Sequence, residues 1–198
     1  GAAHLATVDI TLIAPDGARV ATLEGLTLVF PQEDGDVLFA APEWEVSRLS
    51  AAAPQSATAE PVFVLVGAQP EVGAALSARW PAARLEFLAD EASVETLERE
   101  MLRVLALCRA LAREKTDAVQ PLVVLVADGN ESLLVESLSA LVKTLRLEHP
   151  RMAAKTLRYR LRDGGGLSAL MAQIAAELSA GDGDVRYDVA GRRLVRVL

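Results

Sequence analysis

Three glycine-bearing turns are the first places where this chain could do chemistry. Gly67-Ala68-Gln69-Pro70-Glu71-Val72-Gly73 follows an apolar run, Ala127-Asp128-Gly129-Asn130 follows a second, and Gly164-Gly165-Gly166 opens a later segment. Glycines in such turns let a pyrophosphate approach the backbone at a helix N-terminus. Here Gln69 stands where a second glycine is needed, and Pro70 removes an amide donor. The turn after Val126 has the wrong spacing, and the triple glycine follows a basic stretch. All three read as ordinary turns, and no cofactor-binding residue is assigned.

Proton and hydride chemistry at a carbonyl needs a tyrosine whose phenol is made acidic by a nearby lysine. The two tyrosines are Tyr159, read as mid-strand, and Tyr187, which has no lysine four residues later. Both are expected to pack at the sheet rim. His4 lies near the terminus and His149 beside Pro150, neither at metal-ligand spacing. His4 is expected to be frayed or exposed, and His149 to complement a helix C-terminus. Cys108 falls on an apolar helix face, where a thiol is buried and inert. No Gly-x-Ser-x-Gly elbow occurs. Asp128 ends an apolar strand, and strand C-termini line the ligand crevice of open α/β sheets. It is the one carboxylate that invites attention, although a turn or capping role is the simpler expectation. The residues therefore assign no catalytic, cofactor or metal position.

The elements that would position these residues follow from periodicity. The chain has 198 residues, 52% of them apolar and only 4% aromatic, so its core is built from Ala, Leu and Val. A net charge of −7 disfavours nucleic acid and anionic membranes as partners. One cysteine excludes a disulfide framework. No apolar run is long enough to span a bilayer, and no signal peptide is recognisable. The expectation is a cytoplasmic protein of bacterial type.

The first thirty residues read as a β-hairpin, Thr7–Ile13 and Val20–Phe30 around the turn Pro15-Asp16-Gly17. A lone hairpin is marginal in water and needs a further surface. Residues 31–36 form a polar connector, Val37–Val46 an extended piece with Phe39 and Trp44, and Ser50–Glu60 a linker. From Pro61 onward, strands alternate with helices. The strands are Val62–Val66, Arg84–Leu88, Pro121–Val126, Thr156–Leu161, Asp184–Tyr187 and Leu194–Leu198, the last two joined through Gly191. A short helix covers Val72–Trp80. A long one, capped by Asp90 or Ser93, presents Val94, Leu97, Met101, Leu105, Cys108 and Leu111 on one face. Asn130 caps a third helix, which carries Leu134, Leu138, Leu141, Val142 and Leu145 and ends at Pro150. Leu167–Leu178 forms a fourth. Such alternation implies βαβ units and a parallel sheet, hence the α/β class.

Several segments resemble a known family. Leu141-Val142-Lys143-Thr144-Leu145-Arg146-Leu147-Glu148-His149-Pro150 resembles a helix end in ketoreductase regions of modular polyketide synthases, particularly those served by separate acyltransferases. The tail from Asp184 through Gly191-Arg192-Arg193 to Leu198 resembles the segment that closes the structural subdomain there, just before the catalytic half. The stretch around Leu38 and Trp44 is similar to the segment that opens it. Val8–Gly17, continuing to Glu24-Gly25-Leu26, looks like the last hairpin of a hot-dog dehydratase domain. The resemblance implies residues 1–32 as that hairpin plus linker. It implies residues 33–198 as a truncated Rossmann-like parallel sheet with flanking helices and no cofactor site. The family's Ser, Tyr and Lys have no counterparts here, so no catalytic residue carries over. The implied function is a non-catalytic scaffold in polyketide antibiotic biosynthesis. It would brace a catalytic ketoreductase subdomain or neighbouring domains, with an acyl carrier protein as a further partner. The alternatives are a degenerate NADPH-binding ketoreductase and a carrier or domain docking module.

Overall fold

A computed structural model describes residues 4–13, 19–30, 43–49, 59–67, 70–89, 93–114, 117–129, 132–161 and 166–197, with residues 4–30 described as backbone only. The chain divides into two compact units, Gly1–Ala41 and Pro42–Leu198. In the first, β1 (His4–Ile13) pairs antiparallel with β2 (Arg19–Phe30). His4 opens β1 in register with Phe30. The turn at Pro15-Asp16-Gly17, the connector at 31–36 and most of the linker at 50–60 fall outside the described residues, as do Leu38 and Phe39.

The second unit holds a seven-stranded sheet in the order β3-β9-β8-β7-β6-β4-β5. Its strands are β3 (Glu43–Val46), β4 (Val62–Val66), β5 (Arg84–Leu88), β6 (Gln120–Ala127), β7 (Met152–Tyr159), β8 (Asp184–Tyr187) and β9 (Arg193–Val197). Strands β5, β4, β6, β7 and β8 run parallel, as the alternation with helices requires. The sheet is mostly parallel, and at one side β9 lies antiparallel to both β8 and β3. The reason is length. Only Asp188–Arg192 separates β8 from β9, and a parallel neighbour needs a crossover of a dozen residues or so. A tight turn serves instead. Asp188 Oδ1 accepts from the amides of Ala190 and Arg192, each at 2.8 Å, and Gly191 takes a positive φ of 77°.

Helices cover both faces. Helices α2 (Val94–Arg113) and α3 (Leu133–Glu148) pack on the face formed by Val62, Val64, Val66, Leu122, Val124 and Val126. Helices α1 (Pro70–Arg79) and α4 (Gly166–Glu177) pack on the other, against Phe63, Leu65, Val123, Leu125 and Leu157. Both neighbours in each central strand are buried, which is why β4 and β6 read as unbroken apolar runs.

Some boundaries differ from the sequence reading by a few residues, and one cap agrees with it. Helix α1 starts at Pro70 rather than Val72, because proline suits the first helical turn, where its missing N–H costs nothing. Strand β7 spans Met152–Tyr159 rather than Thr156–Leu161, since Met152 and the small Ala153 and Ala154 continue the ladder to β6. Of the two caps expected for α2, Ser93 is the N-cap, its hydroxyl accepting from the Thr96 amide at 3.1 Å, while Asp90 falls outside the described residues. Ser132 holds the N-cap position of α3, and Asn130 again lies outside them.

The core face of α2 is also rotated from the expected one. Thr96, Glu100, Val104, Leu107, Cys108 and Leu111 are buried, while Val94 is 73% exposed and Leu97, Met101 and Leu105 are half-buried. A carboxylate thus occupies an inward position. Glu100 tolerates it because Arg99 and Arg103 pair with its two oxygens at 2.9 and 2.6 Å.

Candidate functional site

Strands β4 and β6 make the natural place to look. From β4 the chain passes through α1 to β5 on one side, then through α2 back to β6 on the other. The direction of winding reverses between β4 and β6, and the crevice outside their carboxyl ends is where open α/β sheets bind ligands. The crevice holds a cavity of about 190 Å³, lined by Gly67, Ala127, Asp128, Tyr159, Arg160 and Leu161. That is below the roughly 300–1,000 Å³ of ordinary small-molecule sites.

Asp128 lines the crevice and sits in the turn that follows β6, as expected, and its carboxylate also makes two ion pairs. It is nearly buried, and both its oxygens are taken by guanidinium groups: Oδ2 by Arg160 at 2.9 Å and Oδ1 by Arg186 at 3.1 Å. These partners lie 32 and 58 residues away in sequence, so spacing could not reveal them. Tyr159 ends β7 rather than sitting mid-strand, and it is fully buried rather than at the rim. Burial pushes its phenol up to about 12.

Two glycines of the first turn have a conformational or packing reason. Gly67 carries a positive φ of 58° where β4 ends. A Cβ at Gly73 would lie 2.8 Å from the Phe87 ring, so this glycine lets α1 approach β5. Gly166 opens α4, while Gly164 and Gly165 are outside the described residues.

A second constellation, invisible to spacing, lies between α4 and β7, β8 and β9. Glu177, at the end of α4, has no solvent exposure. Its Oε1 accepts from Tyr187 Oη at 2.9 Å and from Arg193 Nε at 2.5 Å. Its Oε2 accepts from Lys155 Nζ and Arg193 Nη2, each at 3.2 Å. Lys155 also donates to the carbonyls of Glu177 and Ala180, satisfying the last turn of α4. Arg193 reaches Asp182 at 2.6 Å. Burial pushes the Glu177 carboxyl up, but Arg193, Lys155 and Tyr187 outweigh it and hold the group below its ordinary value. Burial draws the Lys155 ammonium down, with Glu177 opposing.

This arrangement inverts the tyrosine–lysine pair of hydride chemistry. Between Tyr187 and Lys155 stands a carboxylate. Burial, then the Glu177 charge and its hydrogen bond, push the Tyr187 phenol upward. An acid catalyst needs the opposite shift. The only signal in the sequence was charge inside apolar segments: Lys155 in β7 and Glu177 at the end of an otherwise apolar helix.

A third network lies on the α3 face. Glu136 pairs with Arg158 at 2.8 Å and Arg196 at 3.1 Å, and the Arg158 guanidinium sits 5.9 Å from the Trp44 ring centre. It ties β3, β7 and β9 to α3. Asp184 lies nearby, nearly buried, and burial raises its carboxyl despite Arg158 and Arg196. Cys108 is buried, its thiol pushed up to about 11. His149 is the C-cap of α3, its amide donating to the Leu145 carbonyl at 2.8 Å. Among the described residues no cluster of three metal-ligating side chains occurs, and no helix is long and apolar enough to cross a membrane.

The fold is similar to that of a ketoreductase domain. The crystal structure in question is of a ketoreductase domain from the bacillaene assembly line, with a TM-score of 0.59 and 19% sequence identity. The match covers 79% of this chain and 36% of that one, so this chain spans about a third of its neighbour's length. At that identity the likeness is one of fold. No protein-family model matches the chain, and no curated protein does.

Proposed function

We propose that the chain is the non-catalytic structural subdomain of a ketoreductase region in a modular polyketide synthase, bracing a catalytic ketoreductase half or neighbouring domains. The observation that carries this reading is the extent of the likeness: four-fifths of this chain corresponds to about a third of a polyketide ketoreductase domain. The site chemistry supports it. Burial raises both phenols, and a carboxylate stands between Tyr187 and Lys155. What the residues do build is a buried ion network at the end of α4 and a second, partly exposed one on α3, which tie both helices to one side of the sheet. The test is turnover: the chain, supplied with NADPH and a β-ketoacyl thioester, is expected to oxidise no NADPH above background. It is also expected to show no thermal shift with NADPH. Saturable NADPH binding with reduction of the thioester would overturn the reading.

A further inference from the structure

We propose that the free edge of β5 pairs antiparallel with β5 of a second copy of this chain, about a two-fold axis at Leu85. Strand β5 ends the order of the seven-stranded sheet, and among the described residues no strand lies beyond it. The ladder to β4 decides which backbone groups face outward. The Arg84 amide donates to the Pro61 carbonyl at 3.2 Å, and the parallel register runs unbroken from Val62↔Arg84 to Val66↔Leu88. Backbone groups alternate in direction along a strand. Arg84, Glu86 and Leu88 therefore turn to β4, while Leu85 and Phe87 turn away from it. Phe87 adds an apolar side chain that is 51% exposed. An edge of this kind is a template for another strand.

Charge selects the occupant. The strand reads Arg84-Leu85-Glu86-Phe87-Leu88. With the axis at Leu85, Arg84 of each copy stands opposite Glu86 of the other, Leu85 opposite itself, and the large Phe87 opposite the small Ala83. Opposite charges across strands stabilise a pair, and like charges oppose it. An axis at Glu86 would set that carboxylate against its own copy. The strand is thus self-complementary in one register, as a two-fold interface requires. This count runs over Ala82–Leu88, all of them described residues.

The hydrogen bonds select the same register. Leu85 would exchange both its amide and its carbonyl with Leu85 of the other copy, and the Phe87 amide would donate to the facing Ala83 carbonyl. The reverse bond, from the Ala83 amide to the Phe87 carbonyl, is not needed. The Ala83 amide already donates to the Trp80 carbonyl at 3.0 Å, and the Phe87 carbonyl accepts from Arg103 Nη1 at 3.2 Å. The groups this register leaves unpaired are the ones each copy satisfies by itself. The proposal stands apart from the scaffold reading and survives its failure.

The test is sedimentation equilibrium of the full chain from micromolar to millimolar concentration, where a reversible monomer–dimer equilibrium is expected. Arg84→Glu turns both cross-strand pairs into like charges and should weaken dimerisation about 10-fold or more. Adding Glu86→Arg to it restores opposite charges across the axis and should recover most of that loss. A second readout needs no variant. Hydrogen exchange of the Leu85 and Phe87 amides in the parent chain should slow as concentration rises, while that of β3, at the other edge of the sheet, should not change. A chain that stays monomeric throughout, a dimer indifferent to Arg84→Glu, or exchange at β5 independent of concentration would overturn the proposal.

Discussion

Replacing Glu177 with glutamine tests the buried network where it is most exposed to failure. The side chain keeps its size, but it loses the charge that Lys155 and Arg193 face and that Tyr187 donates to. Both cations are nearly buried, so they cannot turn to water without opening the end of α4. Removing one partner of a buried pair typically costs about 3–5 kcal/mol, because the other charge is stranded. For a domain of this size each kcal/mol shifts the melting midpoint by roughly 2–4 °C, so Glu177→Gln should melt about 6–20 °C lower. Circular dichroism during thermal and urea unfolding provides the measurement. A double-mutant cycle with Lys155→Met sharpens it. The double variant should lose less than the sum of the singles, by about 0.5–3 kcal/mol, because it removes one of the stranded cations. The pH dependence has a defined sign. The folded carboxyl lies below its ordinary value of 4.5, so its contribution is present above that value and lost as pH falls through the lower folded one. The gap between parent and variant should therefore close on acidification. A loss under about 1 kcal/mol, or strict additivity in the cycle, would refute the reasoning.

Asp184→Asn should behave in the opposite sense. Burial raises the Asp184 carboxyl, so the stability it permits is full below its ordinary value and is lost as pH rises through the folded one. Melting curves across pH 4 to 8 should show the variant gaining on the parent as pH rises; a gain on acidification would contradict this. Gly73→Ala should change stability little, since the roughly 1 kcal/mol gained in helix propensity is offset by crowding the Phe87 ring. In a Phe87→Ala background the same change should stabilise by about 0.5–1 kcal/mol in urea unfolding, because the obstructing ring is gone.

Those residues mark the limit of what sequence could show. Strands β4, β5 and β6 were legible because each is a compact run with clear stops, and β4 and β6 are buried on both faces. The antiparallel edge was missed in spite of its own clue, the short Asp188–Arg192 connection. The face of α2 was misjudged because apolar periodicity cannot count a buried glutamate as inward, and Glu100 is one. The ion networks were illegible for a different reason. Glu136 meets Arg196 across 60 residues, and Lys155 meets Glu177 across 22, so only the folded sheet brings them together. Asp128 was singled out correctly as a crevice residue, but its two arginine partners were beyond reach of any local pattern.

The scaffold account is tested most directly by association. The chain and the catalytic half of a ketoreductase from the same synthase, each purified and then mixed at micromolar concentration, should sediment as a one-to-one complex, with NADPH-dependent reduction residing in the partner. Two independent species in the ultracentrifuge, or thioester reduction by this chain alone, would contradict it.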